Sequence, residues 1–315
     1  DQKFHMPEGA PDNLRRGGGP RNAVERRWWL WGLDRELDRL HANVVHGPDF
    51  AVPYLSQHPS VMTLHDLSPW MDDRWHHDAG RVRRRTPILL ELGRATMVIT
   101  PSEAVRKQAI EQFRLEPNRV VAIPEAAPSW LRPSPGPRLV ARPPAPDPYF
   151  LFVGTLEPRK NLDGLLTAWR AVHRKHAIDL VIAGRRRADA PEIAEEPGLR
   201  LAGEVADAEL AALYSGAMAF VYPSLYEGFG LPVLEAMQCG APVIASSAVR
   251  EAAGDAALYA DNPERIARAM NEVASSPGLA EQLRDLSLAR AKEFSWERTA
   301  RATHEVYEEA RRRFE

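Results

Sequence analysis

Residues 222–237 read Tyr-Pro-Ser-Leu-Tyr-Glu-Gly-Phe-Gly-Leu-Pro-Val-Leu-Glu-Ala-Met, and this stretch decides the fold class. The apolar run Ala219–Tyr222 at its start predicts a buried strand, and Leu231–Cys239 predicts a helix. Gly228 and Gly230 permit the tight turn that must connect the two. A buried strand that turns directly into a helix is typical of a parallel sheet covered by helices.

The same alternation of short apolar runs and helix-length stretches extends along the chain. The predicted strands lie at Val44-Val45, Val61–Leu64, Met97–Ile99, Val120–Ile123, Tyr149–Val153, Leu180–Ala183, Ala219–Tyr222, Val243–Ala245 and Leu258–Ala260. The predicted helices lie at Val24–Leu40, Leu162–His176, Ala208–Ser215 and Leu231–Cys239, with two more after Leu279 that separate near Phe294–Trp296. This βα alternation predicts an α/β fold with parallel sheets.

A proline-rich stretch interrupts the alternation. Residues 131–148 contain seven prolines, and such a stretch forms neither a helix nor a central strand. We therefore expect a hinge here, between a first domain over residues 1–140 and a second over residues 148–296. The first 25 or so residues are rich in glycine, proline and arginine and predict a loop.

Composition excludes several classes of protein. The chain has 315 residues and a net charge of −2, which gives no global electrostatic reason to expect a nucleic-acid partner. The single cysteine, Cys239, excludes intrachain disulfides and suits a reducing cytoplasm. No apolar run approaches the roughly 18–20 residues of a membrane span, and the polar start resembles no signal peptide. A cytoplasmic protein of two ordinary domains is the expectation.

The segment Gly154–Asn161 reads Gly-Thr-Leu-Glu-Pro-Arg-Lys-Asn and follows a predicted strand. In open α/β sheets, ligands bind beyond the carboxyl ends of the strands. Arg159 and Lys160 would lie there, where two adjacent cations suit a diphosphate. The alternative is that both are solvated on the surface.

Residues 222–237 place two carboxylates, Glu227 and Glu235, at a helix start. Unpaired backbone amides and the helix dipole near Leu231 favour an anion. Glu235 follows Glu227 by eight residues and lies about one turn inside the helix, so the two carboxylates can contact different parts of one ligand, a sugar and a ribose. The alternative is that both only complement the helix dipole.

Several motifs together resemble the retaining glycosyltransferases of family 4 (group 1), and among these the bacterial mannosyltransferases of polysaccharide assembly. The resemblance covers most of residues 43–310. The matching segments are Thr63–Ser68, Thr100–Ser102, Gly154–Leu156, Arg159–Asn161, Tyr222–Gly240, Pro242–Ala245 and Glu251–Ala257. Glu251 matches the family's acidic residue in the loop after Ser246-Ser247, and Arg250 stands before it where the family usually has proline.

The resemblance implies a GT-B fold, in which two Rossmann-like domains face each other across a cleft. It also implies that the C-terminal helix, residues 297–315, crosses back to complete the first domain. Family members open with a strand and a Gly-rich turn. Since this chain opens with a loop-like sequence, we expect its N-terminal domain to lack the first βα units.

Site residues are implied by the same resemblance. Arg159 and Lys160 would hold the donor diphosphate, and Glu227 would contact the transferred sugar. Glu235 would bind the ribose, and His65 would lie across the cleft near the reacting carbon. The expected catalytic residues are therefore His65, Glu227, Arg159 and Lys160. The expected donor-binding residues are Gly154, Thr155, Arg159, Lys160, Glu227, Gly228, Phe229, Gly230, Leu231 and Glu235.

The resemblance further implies retention of anomeric configuration. The sequence has no Asp-x-Asp triplet and no Cys/His cluster, which favours cationic side chains in place of a metal, so we expect no metal and no cofactor. GDP-mannose is the preferred donor, with UDP- or dTDP-linked sugars as alternatives, and a glycan or lipid-linked molecule is the expected acceptor. Two alternatives stay open: a GT-B epimerase or phosphorylase, and a nucleotide-sugar-binding protein that has reduced or lost transfer.

Other polar motifs are better explained without a site. The basic runs Arg81–Arg85, Arg185–Arg187 and Arg311–Arg313 are expected on solvated faces, with a peripheral contact of Arg81–Arg85 to an anionic membrane as the alternative. His76-His77 lacks the spacing of a metal site and is expected to face solvent. His46, at a strand end, is expected to be a structural residue.

Overall fold

The computed structural model describes residues 17, 22–23, 27–55, 57–76, 79–134 and 148–314, without the side chain of Trp29. Most of the predicted N-terminal loop, the start of the first predicted helix and the body of the predicted hinge lie outside these residues.

Four short strands form the smaller sheet. They are β1 (Val45–Gly47), β2 (Ser60–Thr63), β3 (Met97–Thr100) and β4 (Val120–Ala122). They lie side by side in chain order, and all three neighbouring pairs are parallel. Each corresponds to a predicted strand.

Six strands form the larger sheet. They are β5 (Tyr149–Val153), β6 (Asp179–Ala183), β7 (Leu199–Gly203), β8 (Ala219–Tyr222), β9 (Val243–Ala245) and β10 (Ala257–Tyr259). The order is β10-β9-β8-β5-β6-β7, with every pair parallel. The chain therefore proceeds outward from β5 in one direction and then returns to its other side. The predicted α/β fold with two parallel sheets is confirmed, and β5 and β8 mark the topological switch point of the larger one.

Helices connect the strands. They are α1 (Leu33–Arg39), α2 (Gly80–Glu91), α3 (Glu103–Phe113), α4 (Leu162–His176), α5 (Asp207–Gly216), α6 (Leu231–Gln238), α7 (Arg250–Ala253), α8 (Pro263–Ser275), α9 (Pro277–Ala291) and α10 (Trp296–Phe314). The first of the predicted helices differs from its prediction. The segment predicted as one helix over Val24–Leu40 contains a π-helical turn, Trp28–Gly32, before α1. Gly32 is a weak helix former, and the wide turn ends there.

The larger sheet is buried through aromatic and branched side chains. Phe150, Phe152 and Phe220 are fully buried, and Trp169 of α4 packs among them with its indole nitrogen donating to the Ile178 carbonyl at 2.9 Å. Fully burying one such side chain stabilises the fold by roughly 1.5–3 kcal/mol. This core holds the carboxyl edges of β5 and β8 rigidly in place.

The C-terminal helix α10 packs on the smaller sheet. Val306 and Ala310 are buried against a core cluster that includes Val61 and Ile99. Tyr307 contacts His46, whose Nδ1 lies 2.7 Å from the Tyr307 hydroxyl, while its Nε2 lies 2.8 Å from Thr63 Oγ1. Burial lowers the pKa of His46, so this ring is a neutral packing element between the sheet and the last helix.

Among the described residues, no helix combines the length and apolar composition that crossing a bilayer requires.

Candidate functional site

A cavity of about 690 Å³ opens at the carboxyl ends of both sheets. From the larger sheet it is lined by the segments that follow β5 and β8, the two strands at the switch point. From the smaller sheet it is lined by His65, Asp66, Pro101 and Glu125, which follow β2, β3 and β4. The structure brings together at this cavity all eleven predicted site residues: His65, Gly154, Thr155, Arg159, Lys160, Glu227, Gly228, Phe229, Gly230, Leu231 and Glu235.

Arg159 and Lys160 are buried rather than solvated, at 9% and 6% exposure. They occupy a 3₁₀ turn, Pro158–Lys160, directly before α4. Lys160 Nζ donates to Glu227 Oε1 at 2.6 Å and to the Tyr222 hydroxyl at 2.7 Å. Arg159 Nη1 donates to Glu227 Oε2 at 3.1 Å, so one carboxylate bridges both cations. The alternative of a solvated surface pair is therefore wrong.

Burial and charge oppose each other in this cluster. Burial alone would raise the pKa of Glu227, but Lys160 and Arg159 outweigh it, and the pKa lies below its ordinary value. Burial lowers the pKa of Lys160, and Glu227 offsets this only in part. Burial also opposes the charge of Arg159, yet Glu227, Asp66 and Glu157 together raise its pKa. The Glu227 carboxylate and the Arg159 guanidinium are therefore charged at neutral pH, with Glu227 accepting a charge-assisted hydrogen bond from Lys160.

Hydrogen-bonding capacity remains on both cationic side chains. A guanidinium has five N–H donors, and an ammonium has three. The described contacts use four donors of Arg159, to Glu157, Glu227 and the Tyr226 carbonyl, and two of Lys160. One donor on each is thus available for an acceptor in the cavity, such as an oxyanion.

Glycines let two backbones meet beside Glu227. A Cβ placed on Gly228 would lie 1.9 Å from the His65 carbonyl oxygen, so only glycine fits this contact between the two halves of the cavity. Gly230 has φ +109° and precedes α6, whose first intrahelical bond runs from the Val233 amide to the Gly230 carbonyl. The amides at this helix start have no partners within the helix and carry the positive end of its dipole.

Glu235 lies inside α6 and lines the same cavity. Its Oε2 accepts from the Tyr214 hydroxyl at 2.9 Å, and burial raises the pKa of this carboxyl. Unlike Glu227, it pairs with a neutral hydroxyl. The two carboxylates therefore have different environments: Glu227 is bound to two cations, and Glu235 is bound to a neutral hydroxyl.

His65 faces the cavity from the smaller sheet, and its side chain is nearly half exposed. Its Nε2 lies 2.7 Å from the Pro48 carbonyl, and its Nδ1 lies 3.5 Å from Glu125 Oε1. The Glu125 carboxylate raises the pKa of His65, and burial opposes that effect. Sequence reasoning missed Glu125, although it follows the predicted strand Val120–Ile123 by two residues, as a site residue of a parallel sheet would.

Two further residues are not where the sequence prediction placed them. Arg187, expected on a solvated face, donates to Asp189 at 2.6 Å and to the Trp75 carbonyl at 3.0 Å, and also bonds Glu157. His76, expected to face solvent, is half-buried with its Nε2 2.6 Å from Ser68 Oγ. Both predictions were wrong because the segment after β2 folds against the larger sheet and covers these side chains.

Metal-ligating side chains do not gather in the part of the chain that the structure describes: no group of three His, Cys, Asp or Glu is placed to hold a metal ion. Positive charge for an anionic ligand is presented by Arg159, Lys160 and the backbone amides at the start of α6.

Comparison with known proteins identifies the class. Residues 147–276 match the family model described as glycosyl transferases group 1, and residues 5–128 match that of glycosyltransferase family 4. The O-antigen chain mannosyltransferase B of Escherichia coli is 35% identical over 303 residues, covering 88% of this chain and 76% of its own length.

Solved structures show the same fold at lower identity. Sucrose-phosphate synthase from Thermosynechococcus elongatus has a TM-score of 0.67 at 22% identity, over 92% of this chain and 79% of its own. Anabaena Alr3699/HepE in complex with UDP and glucose has a TM-score of 0.66 at 16% identity, over 90% and 82% of the two chains. The two parallel sheets that face one cavity are therefore a recurrent arrangement.

Proposed function

The chain belongs to glycosyltransferase family 4, an enzyme family with the GT-B fold, and from that premise we propose that it transfers mannose from GDP-mannose to a glycan or lipid-linked acceptor with retention of anomeric configuration. The acceptor would be a growing polysaccharide of the cell envelope. This extension rests on the mannosyltransferase that is 35% identical over most of both chains.

The observation that carries the proposal is the buried pair Arg159 and Lys160 at the switch point of the larger sheet. When the bond between sugar and phosphate breaks, negative charge grows on the diphosphate. Cations and helix amides that are already oriented stabilise such charge without reorganisation, which is usually the largest catalytic contribution. We assign the diphosphate to these two side chains and to the amides of Gly228–Leu231, with no metal ion.

Retention requires that the acceptor oxygen bind the face from which the phosphate leaves, or that a nucleophile act first. Glu227 is tied to two cations, which makes it a poor nucleophile and a good holder of sugar hydroxyls. We therefore propose a front-face displacement. The anomeric C–O bond to phosphate breaks with its electron pair on the phosphate oxygen, the acceptor oxygen bonds to the same carbon, and its proton passes to that phosphate oxygen.

Two other side chains take roles on either side of the reacting carbon. His65 contacts the sugar from the smaller sheet, and Glu235 accepts hydrogen bonds from the ribose hydroxyls along α6. Glu235 suits this role because its described side-chain partner is a neutral hydroxyl. The sugar then lies between His65 and Glu227.

The donor is tested by thermal shift with GDP, UDP and dTDP, followed by transfer from GDP-mannose. Ligand stabilisation follows affinity, so GDP should give the largest shift. A larger shift with UDP would assign a UDP-linked sugar as the donor instead. UDP is included because the structure of HepE contains UDP.

Nuclear magnetic resonance of the product tests retention, and an inverted anomeric centre would contradict it. Tight GDP binding without mannose transfer to any acceptor would instead support a binding protein.

We further propose that one face of α2 contacts an anionic membrane surface. Arg81, Arg84, Ile88 and Leu92 are all exposed and are spaced to share one face of α2 and its end. Arg83 is not available, since it donates to backbone carbonyls. Two cations beside two apolar side chains suit an anionic bilayer surface. Sedimentation with vesicles should rise with anionic lipid content, and an Arg81→Ala/Arg84→Ala variant should abolish that dependence. Sedimentation independent of anionic lipid would remove the proposal.

A further inference from the structure

Glu251 reaches from the larger sheet to a helix of the smaller one. It lies in the short helix α7, after β9, and its carboxylate accepts two backbone N–H groups of α3. Oε2 lies 2.7 Å from the Glu103 amide, and Oε1 lies 2.5 Å from the Ala104 amide. Each carboxylate oxygen therefore binds one of the first two amides of an eleven-residue helix.

The start of α3 needs such partners. The first amides of a helix have no intrahelical acceptor, and the helix dipole favours a negative charge beside them. The third amide, that of Val105, is capped at 3.2 Å by the Oγ of Ser102, the residue directly before α3. Glu251 supplies the acceptors for the two before it, and it does so from the other half of the molecule.

A second contact joins the same two regions. Ser102 Oγ also donates to the Gly228 carbonyl at 2.6 Å. Gly228 lies against the His65 carbonyl, where no Cβ would fit. The start of α3, the loop that carries Glu227 and the backbone of His65 are thus fastened to one another beside the cavity.

The backbone of Glu251 is itself fixed. Arg290 of α9 donates from Nη2 to the Glu251 carbonyl at 2.6 Å and from Nε to the Ala252 carbonyl at 2.9 Å. The Arg250 guanidinium lies 3.9 Å from the ring centre of Tyr259. The side chains of Arg250 and Arg290 therefore anchor α7 on the larger sheet, and the Glu251 carboxylate reaches from it to α3.

We propose that Glu251 is a positioning residue for transfer: its carboxylate holds the start of α3 on the larger sheet and so keeps His65 opposite Glu227 while the cavity is closed. This rests on the proposed transferase function. The cations and helix amides that we assign to the donor diphosphate all belong to the larger sheet, and Glu251 does not line the cavity that they face. Its loss should therefore reduce turnover and leave nucleotide affinity unchanged.

The test compares Glu251→Ala and Glu251→Gln with Glu264→Gln. Glu264 is an exposed carboxylate in the first turn of α8 and contacts no part of the smaller sheet among the described interactions, so it controls for loss of charge at a helix start. Hydrogen exchange at the Glu103 and Ala104 amides reports the contact without any turnover. Calorimetry with GDP reports nucleotide affinity, and transfer from GDP-mannose reports kcat.

We expect Glu251→Ala to raise exchange at both amides and to lower kcat about tenfold, the size of effect of one charge-assisted hydrogen bond. Its dissociation constant for GDP should stay within about twofold. Glu251→Gln keeps one acceptor oxygen and should fall between Ala and wild type. Unchanged exchange in Glu251→Ala would overturn the contact, and an unchanged kcat, or an equal loss of GDP affinity, would overturn the positioning role. If no variant and no wild-type protein transfers mannose, the exchange data still decide the contact, and the proposed function alone fails.

Discussion

Replacing Glu227 with glutamine should lower the stability of the ligand-free protein and raise its affinity for the nucleotide. Glu227 bridges two buried cations, with side-chain exposures of 9% for Glu227, 8% for Lys160 and 11% for Arg159. Glutamine has the same shape but no charge, so both cations lose their shared counter-ion. A diphosphate is then the best available replacement for the lost negative charge.

The magnitudes follow from burial and distance. Breaking a buried ion pair by neutralising one partner costs about 3 kcal/mol, and at about 2–3 °C per kcal/mol the unfolding midpoint should fall by about 6–9 °C. Two unit charges about 6 Å apart at an effective dielectric of about 20 repel by about 3 kcal/mol. Removing this repulsion between Glu227 and the diphosphate, reduced by solvent screening to about 1.4 kcal/mol, should tighten GDP binding about tenfold.

Thermal melts with and without GDP measure the change in stability and the change in GDP affinity. A transfer assay measures the loss of activity. Transfer by Glu227→Gln should fall by about 10²-fold or more, because one of the two acceptor oxygens becomes an NH₂ donor and the negative charge that orients the sugar hydroxyls is lost. Weaker GDP binding by the variant, or a melting temperature equal to that of wild type, would refute the assignment of Glu227 as the counter-ion of the diphosphate-binding cations.

Other changes probe the remaining parts of the site. Lys160→Met should lower transfer about 10²-fold and weaken GDP binding, and GDP affinity equal to wild type in calorimetry would argue against a phosphate contact. The pKa of His65 is raised above 6.5, so its contribution to stability is present below that pH and is lost as pH rises through the folded value. In urea denaturation, Glu125→Gln should reduce the difference between the free energies of unfolding at pH 6 and pH 8. An unchanged difference would show that Glu125 does not raise the pKa of His65. Gly228→Ala should lower kcat/KM at least about tenfold because its Cβ would meet the His65 carbonyl, whereas Gly278→Ala, with open space around it, should not; equal activities would contradict the close contact. Burial raises the pKa of Cys239 to about 12, so a thiol reagent should modify it only after unfolding, and rapid reaction in the native protein would contradict that burial.

The sequence predicted those elements whose apolar residues are continuous. The runs Tyr149–Val153 and Ala219–Tyr222 are buried strands with the bounds that the pattern indicated. β7 was missed because it is an edge strand with partly exposed positions, and Leu201 is 46% exposed, so its residues show no buried run. α8 was also missed, although Asn262 before Pro263 is a helix-start signal and its side chain does cap the Arg265 amide.

Sequence reasoning predicted which residues lie together at one cavity, but it did not predict how they pair. Strand ends and family motifs identified Arg159, Lys160 and Glu227, and the structure places them at one cavity. No local pattern indicates that Glu227 bridges both cations, since that depends on how the β5 and β8 segments meet in space. Contacts between the halves of the cavity, such as Glu251 on α3, join residues about 150 positions apart and leave no local pattern.

The structure of the protein with GDP-mannose tests the central claim most directly. We predict that the diphosphate oxygens lie within about 3.2 Å of the Arg159 guanidinium and Lys160 Nζ, with the mannose between Glu227 and His65. A diphosphate bound elsewhere, with Arg159 and Lys160 still paired only to Glu227 and Glu157, would contradict the account.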